Sequence, residues 1–155
     1  SAFLGGTLAV DGAFAAGMSI RSFSVARPGT HLHPRSLDAR ITGATRGLFL
    51  RDEGTFTTAF DSTLLRFESV GTIVYAILGS RVFLAVDTHV EAVSVGSGFE
   101  AAHQSGINAH KVHVRGLTGP VLRCHKSSYV LIEQGTYEQV RGGTPDTDGS
   151  CQIRY

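Results

Sequence analysis

The chain has no tryptophan, one asparagine (Asn108), two lysines (Lys111 and Lys126) and two cysteines among 155 residues. Charged side chains make up only 17%, below the roughly 25% usual for soluble domains. Long solvated helices need more charge than this. Fourteen basic residues against thirteen acidic ones leave a net charge of +1, and the arginines are dispersed. That balance gives no electrostatic case for a nucleic acid or an anionic membrane as partner. Cys124 and Cys151 are too far apart in the chain to be the Cys-x-x-Cys start of a metal knuckle. They are either a disulfide or two separate thiols in a β-rich core. Asn108 is followed by Ala-His, so no glycosylation sequon exists. No apolar run approaches the roughly 18 residues that would cross a membrane as a helix. Gly-x-Ser-x-Gly, phosphate loops and dinucleotide fingerprints are all missing. The opening SAFLGGTLAVDGAFAAG lacks a basic head, so it does not read as an intact leader. Ser1 as a mature terminus, with a removed leader and an extracellular setting, stays open.

What is present is glycine, nineteen of them, and short runs of Val, Ile, Phe, Thr and Tyr. Such runs bounded by Gly, Ser, Asp or Pro read as strands. They fall near 7–10, 18–26, 38–43, 46–51, 55–60, 63–69, 72–78, 81–86, 89–95, 111–115, 120–124, 128–133, 136–141 and 151–155. Apolar and polar residues alternate at 19–25 and 89–95, as expected of an antiparallel sheet with one wet face. Turn signals such as Gly71, Gly79-Ser80 and Gly96-Ser97-Gly98 punctuate the chain at the spacing of short strands. The one helical candidate is 99–104, and 142–150 reads as a loop. The expectation is a single all-β domain over 1–155, with 1–37 as an N-terminal extension or extra strands and 38–155 as the core.

Three segments align without gaps: LFLRDEGTF from Leu48, VFLAVDTHV from Val82 and YVLIEQGTY from Tyr129. Each places a leucine third and a large apolar residue six positions later. The pattern describes a strand, a tight turn and a returning strand, used three times. Over residues 40–155, with LLRFESVGTIVYAILGSRVFLAV in the middle, this rhythm resembles the β-trefoil of fibroblast growth factors and interleukin-one-like cytokines. The resemblance implies a β-trefoil with an N-terminal strand extension, and a domain that presents its loops to a protein or glycan partner. The heparin-binding basic cluster of that family is missing, since only Arg123, Lys126 and Arg141 lie near its place. The Gln-x-Trp motif of sugar-binding trefoils is missing too. The two strands before Leu37 are more than a minimal trefoil needs, and their pairing with the main sheet would exclude it.

The segment GMSIRSFSVARPGTHLHPRSLD resembles the entry to a germin-type cupin, which implies a jelly-roll instead. On that mapping His31, His33 and Asp38 are metal ligands. Two imidazoles one residue apart on a strand point the same way, and a transition metal such as Mn, Fe or Zn accepts that donor set. Asp38 stands where the family has glutamate. Ile77 and Val82 stand where its second motif has proline and histidine.

His103, His110, His113 and His125 are close neighbours in the chain. They read either as a metal or pH-sensing site or as solvated histidines on alternating strand faces. The glutamates at 53, 68, 91, 100, 133 and 138 fall at turns or outward strand positions, and no acid–base pair stands out. Three functions follow: a non-catalytic binding domain without a cofactor, a cupin-type metal protein, or a structural jelly-roll subunit that forms homo-oligomers through apolar strand faces.

Overall fold

A strand sends alternate side chains to opposite sides. If successive coils of chain lie directly over one another, every inward residue meets an inward residue of the next coil. This is the arrangement found here. A computed structural model describes residues 2–10, 31–58, 63–142 and 145–155, with the first two strands described by their backbone as far as Ala39. The strands are β1 (Ala2–Val10), β2 (His31–Thr42), β3 (Arg46–Leu50), β4 (Thr55–Thr57), β5 (Thr63–Glu68), β6 (Thr72–Ile77) and β7 (Arg81–Phe83). They continue as β8 (Thr88–Val95), β9 (Ser97–Ala102), β10 (Gly106–Leu117), β11 (Leu122–Cys124), β12 (Tyr129–Glu138), β13 (Asp146–Thr147) and β14 (Gln152–Arg154).

Every strand pairing among the described residues is parallel. From β2 onward, the interval between partners is nearly constant. It is shortest for His89 with Lys111 and longest for pairs such as Asp38 with Leu64. The chain is therefore a parallel β-solenoid. The trefoil and the cupin jelly-roll are both overturned, because each is built from antiparallel strands and none is present among the described residues. The pairings form three faces. Face one joins β4, β7, the start of β10, the start of β12 and β14. Face two joins the end of β2, β5, β8 and the ends of β10 and β12. Face three joins β3, β6, β9, β11 and β13.

β1 pairs with β2, and β2 pairs onward with both β4 and β5. These N-terminal strands are thus part of the stack, and β2 runs through position 37–38. Residues 99–104, expected to be helical, mostly belong to strand β9, and the expected loop 142–150 contains β13. The expected strand 18–26 lies outside the described residues. The expected threefold hairpin repeat dissolves. Leu48 sits on face three, whereas Val82 sits on face one, where its register continues through Ile107 to Val130 rather than Tyr129.

The core consists of inward columns, one residue per coil. Face one supplies Phe56, Val82, Ile107 and Val130. Face two supplies Leu65, Val90 and Val112, and beside them Phe67, Ala92, Val114 and Tyr137. Face three supplies Leu48, Val74, Phe99 and Leu122, then Leu50, Ala76, Ala101 and Cys124. All but Tyr137 are at most 3% exposed. Burying each large aliphatic or aromatic side chain contributes about 1.5–3 kcal/mol, and the columns keep those contacts between neighbouring coils.

The corners are stacked as well. Glu53, Leu78, His103 and Lys126 all have φ between 55° and 61°, and the corner amides bond to the next coil. Glu53 N donates to the Leu78 carbonyl at 2.8 Å, Gly79 N to His103 at 2.9 Å and Gln104 N to Lys126 at 3.0 Å. A second corner stacks Gly71, Gly96 and Gly119, and Gly119 N donates to Gly96 O at 2.5 Å. The first corner also buries Ser80, Ser105 and Ser128, with Ser80 N donating to Ser105 Oγ and Ser105 N to Ser128 Oγ, both at 3.2 Å. Cys124 and Cys151 form a disulfide between the last two coils, with Cα atoms 5.9 Å apart.

Candidate binding face

Stacking turns each outward position into a row running along the solenoid, with neighbours about 4.8 Å apart. On face two, register places Leu64, His89, Lys111 and Gln134 in one row and Arg66, Glu91, His113 and Thr136 in the next. The last three residues of each row, with Val90 and Val112 beneath them, line a shallow cleft of about 300 Å³. Part of its charge is already satisfied. Arg66 Nε donates to Glu91 at 3.3 Å, and His113 Nε2 lies 3.4 Å from Glu138. The side chains of His89, Lys111, Gln134 and Thr136 make no hydrogen bond or ion pair to another described residue. Three consecutive coils thus offer an imidazole, an ammonium, an amide and a hydroxyl to solvent at regular spacing.

Face three is closed differently. Phe49 and Tyr75 stack with ring centroids 5.6 Å apart and an 11° angle, and the Arg46 guanidinium lies 4.6 and 4.5 Å above them. The cation occupies the aromatic surface that a ligand would use. Farther along the same face Glu100 accepts from Ser97 Oγ at 2.7 Å and from Arg123 at 2.9 Å, while Arg123 also reaches Asp146 at 3.6 Å. These groups answer one another and leave little for a ligand.

The four clustered histidines are separated by the coil path. His103 sits at a corner, 3.4 Å from Lys126 Nζ. His110 Nδ1 lies 2.8 Å from Glu133. His113 borders the cleft. His125 sits between Asp146 at 3.7 Å and Asp148 at 3.9 Å. Their closeness in sequence therefore does not make one site. Among the described residues no group of three or more His, Cys, Asp or Glu is placed to hold a metal ion. His31, His33 and Asp38 lie on β2, with their side chains outside the described residues. Their backbone register pairs His31 with Thr55 on face one and Asp38 with Leu64 on face two.

His89 and Lys111 escape a reading of the sequence because they belong to different strands. The interval between them, one coil of chain, is the only signal linking them, and it becomes meaningful once the coil length is known. By its fold the chain belongs to the class of parallel β-solenoids. No protein-family model, curated protein or solved structure matches it.

Proposed function

We propose that this chain is a non-catalytic binding solenoid that holds a glycan in the face-two cleft. The observation that carries the reading is the run of unpartnered hydrogen-bonding side chains, His89, Lys111, Gln134 and Thr136, on three successive coils. A hydroxyl-rich ligand satisfies donors and acceptors spaced in this way. A protein partner fits less well, because the centres of protein interfaces are enriched in aromatic and apolar anchors and depleted in charge, and the cleft is polar. Glycoside hydrolysis normally uses two carboxyl groups flanking the scissile bond. The cleft is lined by one, Glu91, and Arg66 already engages it.

Affinity electrophoresis through gels containing neutral and acidic soluble polysaccharides tests the reading. Retardation by at least one polysaccharide is expected. Lys111→Ala should weaken it about tenfold or more, as expected for the loss of one charge-assisted hydrogen bond. Absence of retardation in every gel, or retardation unchanged by Lys111→Ala and Gln134→Ala, would refute it.

A further inference from the structure

The last strands are attached to the solenoid in a way the others are not. Each preceding coil from β3 to β12 contributes fully buried side chains to the columns. Residues 145–155 contribute none: Pro145 and Cys151 are half-buried and the other nine are exposed. β13 pairs with β11 at two positions and β14 with β12 at three. The remaining links are Lys126 N to Asp148 Oδ2 at 2.7 Å, Ser127 N to Ser150 Oγ at 2.8 Å, Gln152 N to the Ser128 carbonyl at 3.2 Å, the exposed pairs of Arg123 with Asp146 and of His125 with Asp146 and Asp148, and the edge-on contact of Tyr155 with Tyr137. Exposed polar links of this kind contribute little each. Ile153 continues the face-one column over Val130 but stays 36% exposed, and the firmer anchor is the disulfide, because Cys124 ends the column Leu50, Ala76, Ala101 and is fully buried.

We propose that residues 145–155 are a disulfide-latched segment that detaches on reduction while the body of the solenoid stays folded. In the oxidised protein the Cys124–Cys151 bond tethers β13 and β14 beside β11 and β12, so little chain entropy is lost when they re-pair and weak contacts suffice. A dithiol reductant breaks the S–S bond. Two electrons and two protons pass to the cysteine sulfurs, and the reductant closes to its own disulfide. Without the bond, the segment has no fully buried apolar side chain to offset its ordering entropy. Its departure leaves β10 and β12 paired from Tyr129 to Glu138, so the face-two cleft persists. It also opens the backbone edge of β12 at Tyr129, Val130 and Leu131. A freed edge of this kind accepts another strand, which gives the latch a consequence for association.

Hydrogen exchange of the full chain, read by mass spectrometry with and without dithiothreitol, tests the latch. Peptides covering 145–155 should exchange about tenfold faster or more on reduction, while those covering 64–124 keep their protection. Cys151→Ser, which leaves the buried Cys124 in place, should reproduce the reduced pattern without reductant. Two results would overturn the proposal. One is protection of 145–155 that is the same in both redox states. The other is loss of protection across the whole chain, which would make the disulfide a support of the entire fold.

Discussion

The amide of Gly119 lies directly over the carbonyl of Gly96, donating to it at 2.5 Å, and a Cβ at Gly119 would sit 2.6 Å from that same oxygen. Gly96 is crowded by Gly71 in the same way, since a Cβ there would lie 2.5 Å from the Gly71 carbonyl oxygen, although its own amide donates to Val70. The obstruction is backbone, which cannot swing aside as a side chain can. Gly119→Ala should therefore cost about 1–3 kcal/mol, the usual penalty of overpacking. A lower urea midpoint with an unchanged slope is the expected result.

Ser105 tests the buried serine corner. Its hydroxyl accepts from the Ser80 amide at 3.2 Å in a site with no solvent exposure. Ser105→Ala leaves that amide without a partner, at a cost of about 1–3 kcal/mol. Thermal unfolding should show the loss, and Ser127→Ala, at an exposed position, should show much less.

Tyr137 points the other way. Its hydroxyl is buried without a hydrogen-bond partner among the described residues, and the Tyr155 ring meets it edge-on at 6.3 Å. Burial, and secondarily the Tyr155 phenol, push the Tyr137 hydroxyl well above its ordinary value of 10. A raised folded value means that the protonated form contributes stability below the ordinary value and loses it as the pH rises beyond. Tyr137→Phe should be neutral or mildly stabilising at pH 7. It should also flatten the fall in urea midpoint above about pH 10.

Asp148 gives the acid limit of the terminal segment. Hydrogen bonds from the Ser150 hydroxyl, the Lys126 amide and the Ser150 amide hold its carboxyl at about 2, down from 3.8. A depressed folded value means that the interaction is present above the ordinary carboxylate range and is lost as the pH falls towards 2. The Ser150 amide resonance should titrate with a midpoint near that value. The titration should vanish in Asp148→Asn, and a midpoint near the ordinary value would show that the hydrogen bonds are not made in solution.

Strand positions are largely legible in the sequence because alternation is local. Residues 72–78 and 89–95 read as strands, and β6 and β8 occupy Thr72–Ile77 and Thr88–Val95. Their partners are not legible. One-sided alternation suggests antiparallel sheets, yet in a solenoid parallel strands also have one wet face. Glycines at 71, 79, 96 and 119 mark some corner positions, but Ser69, Leu78, Gln104 and Lys126 adopt positive φ where no glycine announces it. The repeat is hidden by drift. The coil that carries Asp38 to Leu64 is longer than the one that carries His89 to Lys111, so no single period stands out, and aligning look-alike segments finds the wrong partners, as it does for Leu48 and Tyr129. His113 is visible as a candidate, but its neighbours in the cleft, His89 and Gln134, come from other coils.

The stacked corners make the molecule divisible. Ser80 and Ser105 occupy equivalent places one coil apart, and the residues after each begin equivalent strands, β7 and β10. Excising 81–105 would join Ser80 to Gly106 across matching geometry, shortening the stack by one step without altering the path at either side. Length in this architecture is counted in whole coils. Gain or loss of one coil would lengthen or shorten the rows on face two by one side chain, and with them the stretch of ligand they can span.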